Sequence, residues 1–183
     1  TLTRGKRANA ARLQALNVLG TCAYRLGRLT EAKRHFTQRL QLASPGDHAH
    51  AAAVTLDHLA LIEKQLGHYT EALRLSLQSL AEHQRLGDSA GEALCLNNLG
   101  SLQLVMRENE AAAEHLKEGL AICERGGLLG TKAFVLTNLT EAGDGVGALA
   151  FSPTDELVAA GFGSTIQLWD YRSRESRGRL TSS

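Results

Sequence analysis

Polar side chains recur every 40 residues along this 183-residue chain, and they are the clearest candidates for chemistry. The first row is Asn17, Asp57, Asn97 and Thr137, and the second row is Val18, His58, Asn98 and Asn138. An asparagine amide both donates and accepts hydrogen bonds, so a row of amides can bind the backbone of an extended peptide. The spacing therefore predicts a protein-binding surface rather than an active site.

Neighbouring positions on the same predicted helices extend this candidate surface. They are Thr21, Leu61 and Ser101, then Tyr24, Lys64 and Leu104, with Arg25 and Gln65 beside them. We expect Leu61 and Leu104 to pack in the interior. For Asn17, Asp57 and Asn97, a solvated helix face or a contact between repeats is an equally good interpretation. For Asn98 we favour function.

Other kinds of site are weakly indicated. Asp47, His48 and His50 are residue types that bind zinc, but they lie in a predicted loop and no second cluster completes a site. No P-loop, G-x-S-x-G or H-E-x-x-H motif occurs, and no pair of carboxylates is set apart for acid–base catalysis. We therefore predict a protein that is not an enzyme and that needs no metal or cofactor.

Charge and cysteine content narrow the class of protein further. Twenty basic and 19 acidic residues give a net charge of +1, which argues against nucleic-acid or membrane partners. We expect the arginine-rich tail at residues 172–179 to be a flexible, solvated terminus. Cys22, Cys95 and Cys123 have no C-x-x-C spacing, so we expect buried free thiols and a cytoplasmic location. The chain starts at Thr1 without a methionine, which suggests a fragment of a longer protein.

The elements that would position these residues follow from an aliphatic frame. Leucine recurs at 19, 59, 99 and 139 and again at 16, 56, 96 and 136, and alanine recurs at 32, 72 and 112. A fixed long period is typical of a solenoid of stacked units. Because alanine and leucine dominate and aromatics are only 4 %, we predict an all-α fold, an α-solenoid of helical hairpins.

The helical pattern places hairpins at about 11–42, 51–84 and 91–124, followed by a helix without a partner at about 131–142. Gly27 and Gly67 mark equivalent turns, and Arg107 takes that position in the third copy. Gly20 and Gly100 share a position where two helices should meet. Turn residues at 45–47 and 143–145 separate the units.

After residue 142 the pattern changes to short runs rich in β-branched and aromatic residues. Val146–Phe151, Leu157–Ala160 and Thr165–Asp170, with turns at 152–155 and 161–164, predict a short antiparallel β-meander. We therefore divide the chain into a helical array at 1–142 and a β segment with the basic tail at 143–183. We expect Leu136 and Leu139 to pack against Phe151, Leu157 and Trp169.

The helical part resembles the tetratricopeptide repeat. The resemblance rests on Leu-Gly in the first helix, glycine at the turn, an aromatic residue two positions later (Tyr69), then alanine (Ala72) and a bulky residue (Phe36, Leu116). It covers about residues 11–141 and implies that the hairpins form a right-handed superhelix. The period of 40 is longer than the usual 34 or so. The long period is similar to that of STAND-type bacterial regulators and Pins-type adaptors. In such relatives an asparagine just before the leucine contacts bound peptide, which implies that role for Asn98 and Asn138.

The β segment is similar to a single WD40 repeat. The likeness rests on Ala148–Pro153, Leu157–Ala159, Gly161 and Ile166–Asp170. From both resemblances we expect a scaffold or regulatory arm that captures a peptide or helix of a partner protein in the concave groove of the array. The alternatives are a structural or autoinhibitory segment of a STAND-type ATPase, and a truncated fragment without function. The oligomeric state is left open.

Overall fold

A computed structural model describes residues 2–43, 48–141, 146–151, 157–162, 165–170 and 176–181. Its helices are α1 (Leu2–Arg25), α2 (Leu29–Leu42), α3 (Ala49–Gln65), α4 (Tyr69–Leu86), α5 (Ser89–Val105), α6 (Asn109–Gly126) and α7 (Leu129–Glu141). Consecutive helices form hairpins, so the helical part has the architecture of an α-solenoid. The predicted turns at 45–47, 143–145, 152–155 and 163–164 lie outside the described residues.

Most helices begin and end within a few residues of the predicted bounds. The exception is α1, which begins at Leu2 rather than near residue 11 because residues 2–10 lack helix-breaking residues other than Gly5. No helix in the described ranges is long and apolar enough to span a membrane. The chain divides into two compact units, Thr1–Asn98 (unit 1) and Leu99–Ser183 (unit 2), with the boundary inside α5.

Unit 1 is a layered arrangement in which α2 lies against both α1 and α3, and α3 packs on α4. Its core contains Phe36, Leu59, Ile62 and Leu75 together with several alanines. The Phe36 ring is fully buried against Gly20, where an added Cβ would lie 2.8 Å from the ring. Glycine at position 20 therefore allows α1 and α2 to approach closely around an aromatic side chain.

The leucine row at 19, 59, 99 and 139 is buried except in its first copy. Leu59, Leu99 and Leu139 are 5 % exposed or less, whereas Leu19 is 51 % exposed. Cys22, which we expected to be buried, is also exposed, although Cys95 and Cys123 are buried. The reason is that α2 covers the equivalent flank of α3, while no described helix of unit 1 covers that flank of α1.

Arg39 ties three helices of unit 1 together from a buried position on α2. Its guanidinium donates to the carbonyl of Leu13 on α1 at 3.2 Å and to that of Ala51 on α3 at 3.0 Å. It also donates to the hydroxyl of Thr55. A buried charge that finds several acceptors is held in one geometry, so this side chain fixes how α1, α2 and α3 are arranged.

In unit 2 the same close approach recurs between α5 and α6. A Cβ at Gly100 would lie 2.5 Å from Cγ of the fully buried Leu116. The turn between these helices places Arg107 at φ +63°, the left-handed conformation that Gly27 and Gly67 adopt at the equivalent turns. The third turn thus keeps the geometry of the first two with a residue that is less suited to it.

Beyond α7, unit 2 contains β1 (Val146–Phe151), β2 (Leu157–Phe162), β3 (Thr165–Asp170) and β4 (Ser176–Thr181). The strands pair antiparallel in the order β1-β2-β3-β4, with Ala150 opposite Ala159, Gly161 opposite Ile166 and Gln167 opposite Arg179. The expectation of a flexible tail is wrong for Ser176–Thr181, because β4 pairs with β3. Helix α7 lies next to β1. The side chains of Phe151, Leu157 and Trp169, predicted to pack on α7, lie outside the described side chains.

Replacing Gly20 with alanine should destabilise the protein although alanine favours helix. The Phe36 ring is buried and stacked on His58, so it cannot move away from the new methyl group. Overpacking costs about 1–3 kcal/mol, against a helix-propensity gain of about 0.5–1 kcal/mol. We expect Gly20→Ala to lower the free energy of unfolding in urea, followed by circular dichroism. Gly5→Ala in the same helix, where no atom lies within 4 Å of the added Cβ, should not destabilise and is the control.

Arg107→Gly should stabilise the protein, because glycine adopts a positive φ without the Cβ clash that arginine has. We expect a gain of about 0.5–1 kcal/mol in the free energy of unfolding. Thermal and urea unfolding would measure it. The reverse substitution at the equivalent turn, Gly67→Arg, should destabilise; a loss on Arg107→Gly would contradict this account of the turn.

Candidate peptide-binding surface

Three residues of the second predicted row lie at the surface of unit 1. Val18 on α1 is 54 % exposed, and His58 on α3 and Asn98 on α5 are half-buried. One side of each side chain is therefore in contact with the protein and the other reaches solvent. Partial burial of this kind restricts a polar group to a few orientations, which suits a group that binds a ligand.

His58 is held in a defined orientation by two contacts. Its Nδ1 donates to the carbonyl oxygen of Val54 at 2.7 Å, and its ring stacks on Phe36 with centroids 4.5 Å apart. In the neutral imidazole this hydrogen bond leaves Nε2 as an acceptor. The sequence position next to Leu59 gave no sign of this, because the orientation depends on Phe36 from another helix.

Tyr24 and Gln65 connect the ends of α1 and α3. The amide of Gln65 donates to the hydroxyl oxygen of Tyr24 at 2.7 Å. Burial raises the pKa of Tyr24, and the hydrogen bond from Gln65 offsets part of the rise. Thr21 and Lys64 are half-buried and Arg25 is exposed. These side chains lie beside the faces of α1 and α3 that carry Val18 and His58.

Beside the polar rows lies an apolar row that the repeat pattern did not predict as part of the surface. Leu94 on α5 is 42 % exposed in unit 1, and at the same position of the repeat Phe134 on α7 is 64 % exposed in unit 2. An exposed large apolar side chain near polar groups is a common feature of binding surfaces. The signal was present in the sequence, since Leu94 and Phe134 are 40 residues apart on otherwise polar helix faces.

In unit 1 the first row lies largely in the interior. Asp57 is buried and accepts a hydrogen bond from His83 Nε2 of α4 at 2.9 Å. Asn97 is buried too, and Asn17 is half-buried with an Oδ1 atom for which the described residues provide no donor. The repeat explains why Asn17 lacks the partner that Asp57 has. The position equivalent to His83 in the first hairpin is Ala43, which has no side-chain donor. In unit 1 each first-row residue is therefore more buried than its second-row neighbour, whereas Thr137 in unit 2 is exposed.

His83 is surrounded by acidic groups. Its Nε2 contacts Asp57 and its Nδ1 contacts Asp88, each at 2.9 Å, and the exposed His50 lies edge-on to its ring. The hydrogen bond to Asp57 raises the pKa of His83 in spite of its burial. The hydrogen bond from the Gly91 amide lowers the pKa of Asp88, and the hydrogen bond from His83 lowers it further. His50, His83 and Asp88 are also the residues of the described part that could hold a metal ion; Asp47 lies outside it.

Three of the predicted polar residues belong to unit 2. Thr137 on α7 is exposed, Ser101 on α5 and Asn138 on α7 are half-buried, and each of the three interacts with a neighbouring group. Ser101 and Asn138 therefore have partly exposed polar side chains, as His58 and Asn98 do in unit 1.

The chain matches one family model, and two solved structures are similar to it in fold. A family model described as tetratricopeptide repeat matches residues 11–81 and 51–125. The crystal structure of BtubC (BKLC) from P. vanneervenii is similar with a TM-score of 0.61 and 24 % identity, covering 72 % of this chain and 57 % of that chain. The apo form of RapI is similar with a TM-score of 0.68 and 17 % identity, covering 72 % and 48 %. No curated protein sequence matches the chain. At these identities the two structures show the fold alone.

The His83 network should make stability depend on pH. Because the folded-state pKa of His83 is raised above 6.5, its stabilising contribution is fully present below pH 6.5 and is lost as the pH rises through the folded-state value. Asp88 has a lowered pKa, so its contribution is present above pH 3.8 and is lost as the pH falls through its folded-state value. We expect the free energy of unfolding in urea to decline on the alkaline side of pH 6.5.

His83→Gln should remove most of that decline, because glutamine does not titrate. His115→Gln is the matched control, since His115 is half-buried and bonded to Gln103 and to a carbonyl rather than to a carboxylate. An equal slope in wild type and His83→Gln would contradict the assignment.

Proposed function

Since the chain belongs to the tetratricopeptide repeat family, we propose that it is a protein-interaction scaffold whose unit 1 captures a peptide or helix of a partner protein. The binding surface is formed by α1, α3 and the first part of α5. Asn98 and His58 are its polar contacts, and Val18 and Leu94 are its apolar contacts. Thr21, Tyr24, Arg25 and Lys64 border this surface.

The observation that carries the proposal is the combination of fixed polar groups with exposed apolar ones. The Asn98 amide can donate to and accept from a peptide backbone, and His58 Nε2 can accept from a peptide N–H. Val18 and Leu94 offer apolar area that a ligand side chain would cover. Asp57 takes the supporting role of fixing α3 against α4 through its hydrogen bond with His83.

In unit 2 we propose the same chemistry for Ser101 and Asn138. In this proposal the chain acts without catalysis and in the cytoplasm, and its partner is a protein rather than a nucleic acid or a membrane. The near balance of basic and acidic residues supports that choice of partner.

A second candidate function is a regulatory or autoinhibitory arm of a larger STAND-type regulator, with residues 148–170 as a WD40-like repeat. The observation in its favour is the sheet, since a propeller blade also has four antiparallel strands. Its outer strands β1 and β4 each pair on one side within the described residues, as blade edges do. A nucleotide-binding motif and further WD repeats in the complete reading frame would favour this candidate, and their absence there would count against it.

Asn98→Ala should weaken peptide binding while leaving the helices intact. Peptides would be selected from a displayed random library on the tag-free chain and titrated by fluorescence anisotropy. Loss of the amide hydrogen bonds corresponds to about 1–3 kcal/mol, or roughly a 5- to 150-fold weaker Kd. Adding Asn138→Ala measures the contribution of unit 2.

Gln38→Ala is the matched control, because it removes an exposed amide from α2 rather than from the proposed surface. The surface assignment fails if Asn98→Ala binds the selected peptides as wild type does. It fails equally if Gln38→Ala weakens binding as much as Asn98→Ala does.

A further inference from the structure

Three potential metal ligands converge in unit 1 from three separate elements. His50 lies in the first turn of α3, His83 in the last turns of α4 and Asp88 just before α5. Asp88 Oδ2 is 2.9 Å from His83 Nδ1 and 3.2 Å from His50 Nδ1, and the three ligand atoms lie within 4.8 Å of one another. The sequence separates His50 from the other two by more than thirty residues, so no linear motif marks the group.

The local backbone is arranged so that these atoms can meet. A Cβ at Gly91 would lie 2.1 Å from His83 Nδ1 and 2.5 Å from Asp88 Oδ2, so glycine is needed where they approach each other. Asp88 Oδ1 accepts from the Gly91 amide at 3.0 Å, which holds the carboxylate with Oδ2 toward the histidines. Gly87, at φ +66°, turns the chain between His83 and Asp88.

Asp57 supplies the outer contact that ordinarily orients a metal-binding histidine. It accepts from His83 Nε2 at 2.9 Å, and the His83 side chain is 1 % exposed. A histidine that donates one ring N–H to a carboxylate presents its other nitrogen as an unprotonated ligand, and such pairs are typical of zinc sites. Asp57 thus positions His83 Nδ1 toward Asp88 and His50.

We propose that His50 Nδ1, His83 Nδ1 and Asp88 Oδ2 bind one Zn²⁺ ion, with water in the remaining position. Tetrahedral coordination at zinc distances requires ligand atoms roughly 3.3 Å apart. The two distances to Asp88 differ from this by only a few tenths of an ångström, and because the His50 side chain is exposed it can turn to bring its nitrogen to the same distance from His83 Nδ1. The exposed side chain of His50 gives the ion a route from solvent.

Protons compete with the metal ion for His83 Nδ1. Hydrogen bonding to Asp57 favours protonated His83, and in that form Nδ1–H donates to Asp88 and the cluster is an ion-pair network. Zinc binding must displace that proton, so affinity should rise with pH and binding should release protons. The proposal does not depend on peptide binding, and either can fail alone.

The test is titration of the tag-free, chelator-treated full chain with Co²⁺ and then Zn²⁺. We expect one Co²⁺ per chain with the absorption of a four-coordinate nitrogen and oxygen site, displacement by Zn²⁺, and a higher melting temperature with metal. Imidazole ¹⁵N shifts should change at His50 and His83 Nδ1. Proton release, measured by calorimetry in buffers of different ionisation enthalpy, should accompany binding.

His50→Ala is the decisive variant because its exposed side chain can be removed without disturbing the core. It should lower the affinity at least about 10-fold. His68→Ala removes an exposed histidine at the other end of α3, about 25 Å away along a 17-residue helix, and should bind as wild type does.

No saturable 1:1 binding, or equal affinities of wild type and His50→Ala, overturns the proposal. Loss of binding in His68→Ala also overturns it, because the ion would then be held elsewhere. His83→Gln should abolish the cobalt spectrum, and if that variant does not fold, His50→Ala still decides the question.

Discussion

The close approach of the two helices within each hairpin is the constraint on which the rest of the structure depends. At position 20 glycine admits the Phe36 ring, and at position 100 glycine admits Leu116. In the second hairpin the equivalent positions hold Ala60, which is larger than glycine, and Ser76, which is smaller than Phe36 or Leu116. A smaller side chain on one helix is therefore accompanied by a larger one on the other, which keeps the packing dense although the residues differ between hairpins.

Once the helices are this close, buried polar groups fix how they are arranged. Arg39 reaches carbonyl groups on α1 and α3, and Ser79 donates to the carbonyl of Ala53 at 3.0 Å. His83 bridges Asp57 and Asp88. A buried donor without an acceptor is costly, so each of these contacts selects one alignment of helices over nearby alternatives. The same alignment leaves His58 and Asn98 partly exposed and gathers His50, His83 and Asp88 at one place.

Much of the candidate surface could be predicted from the sequence because the repeat carries residues to equivalent positions. The second row, with His58 and Asn98, lies at the surface of unit 1. Adjacent residues differ by about 100° around a helix, so in unit 1 the first row is more buried than the second and Asp57 is buried. Pattern alone did not separate these neighbours, since polar residues occupy both rows. It also gave no sign that Leu19 would be exposed, which follows from the lack of a described helix over that flank of α1.

The sequence by itself determined the helical hairpins, their 40-residue repeat and their turns, because periodicity, glycine and local propensity act over a few residues. The turn at Arg107 lies where its position in the repeat predicted, and it has the left-handed geometry of the turns at Gly27 and Gly67. Only the tertiary structure decided which polar residues are buried and which potential metal ligands lie close together. His50 and His83 are distant in the chain, and their meeting depends on the packing of α3 against α4 and on the space left by Gly91. Such contacts join residues whose separation carries no local signal, so they appear only when the helices are packed.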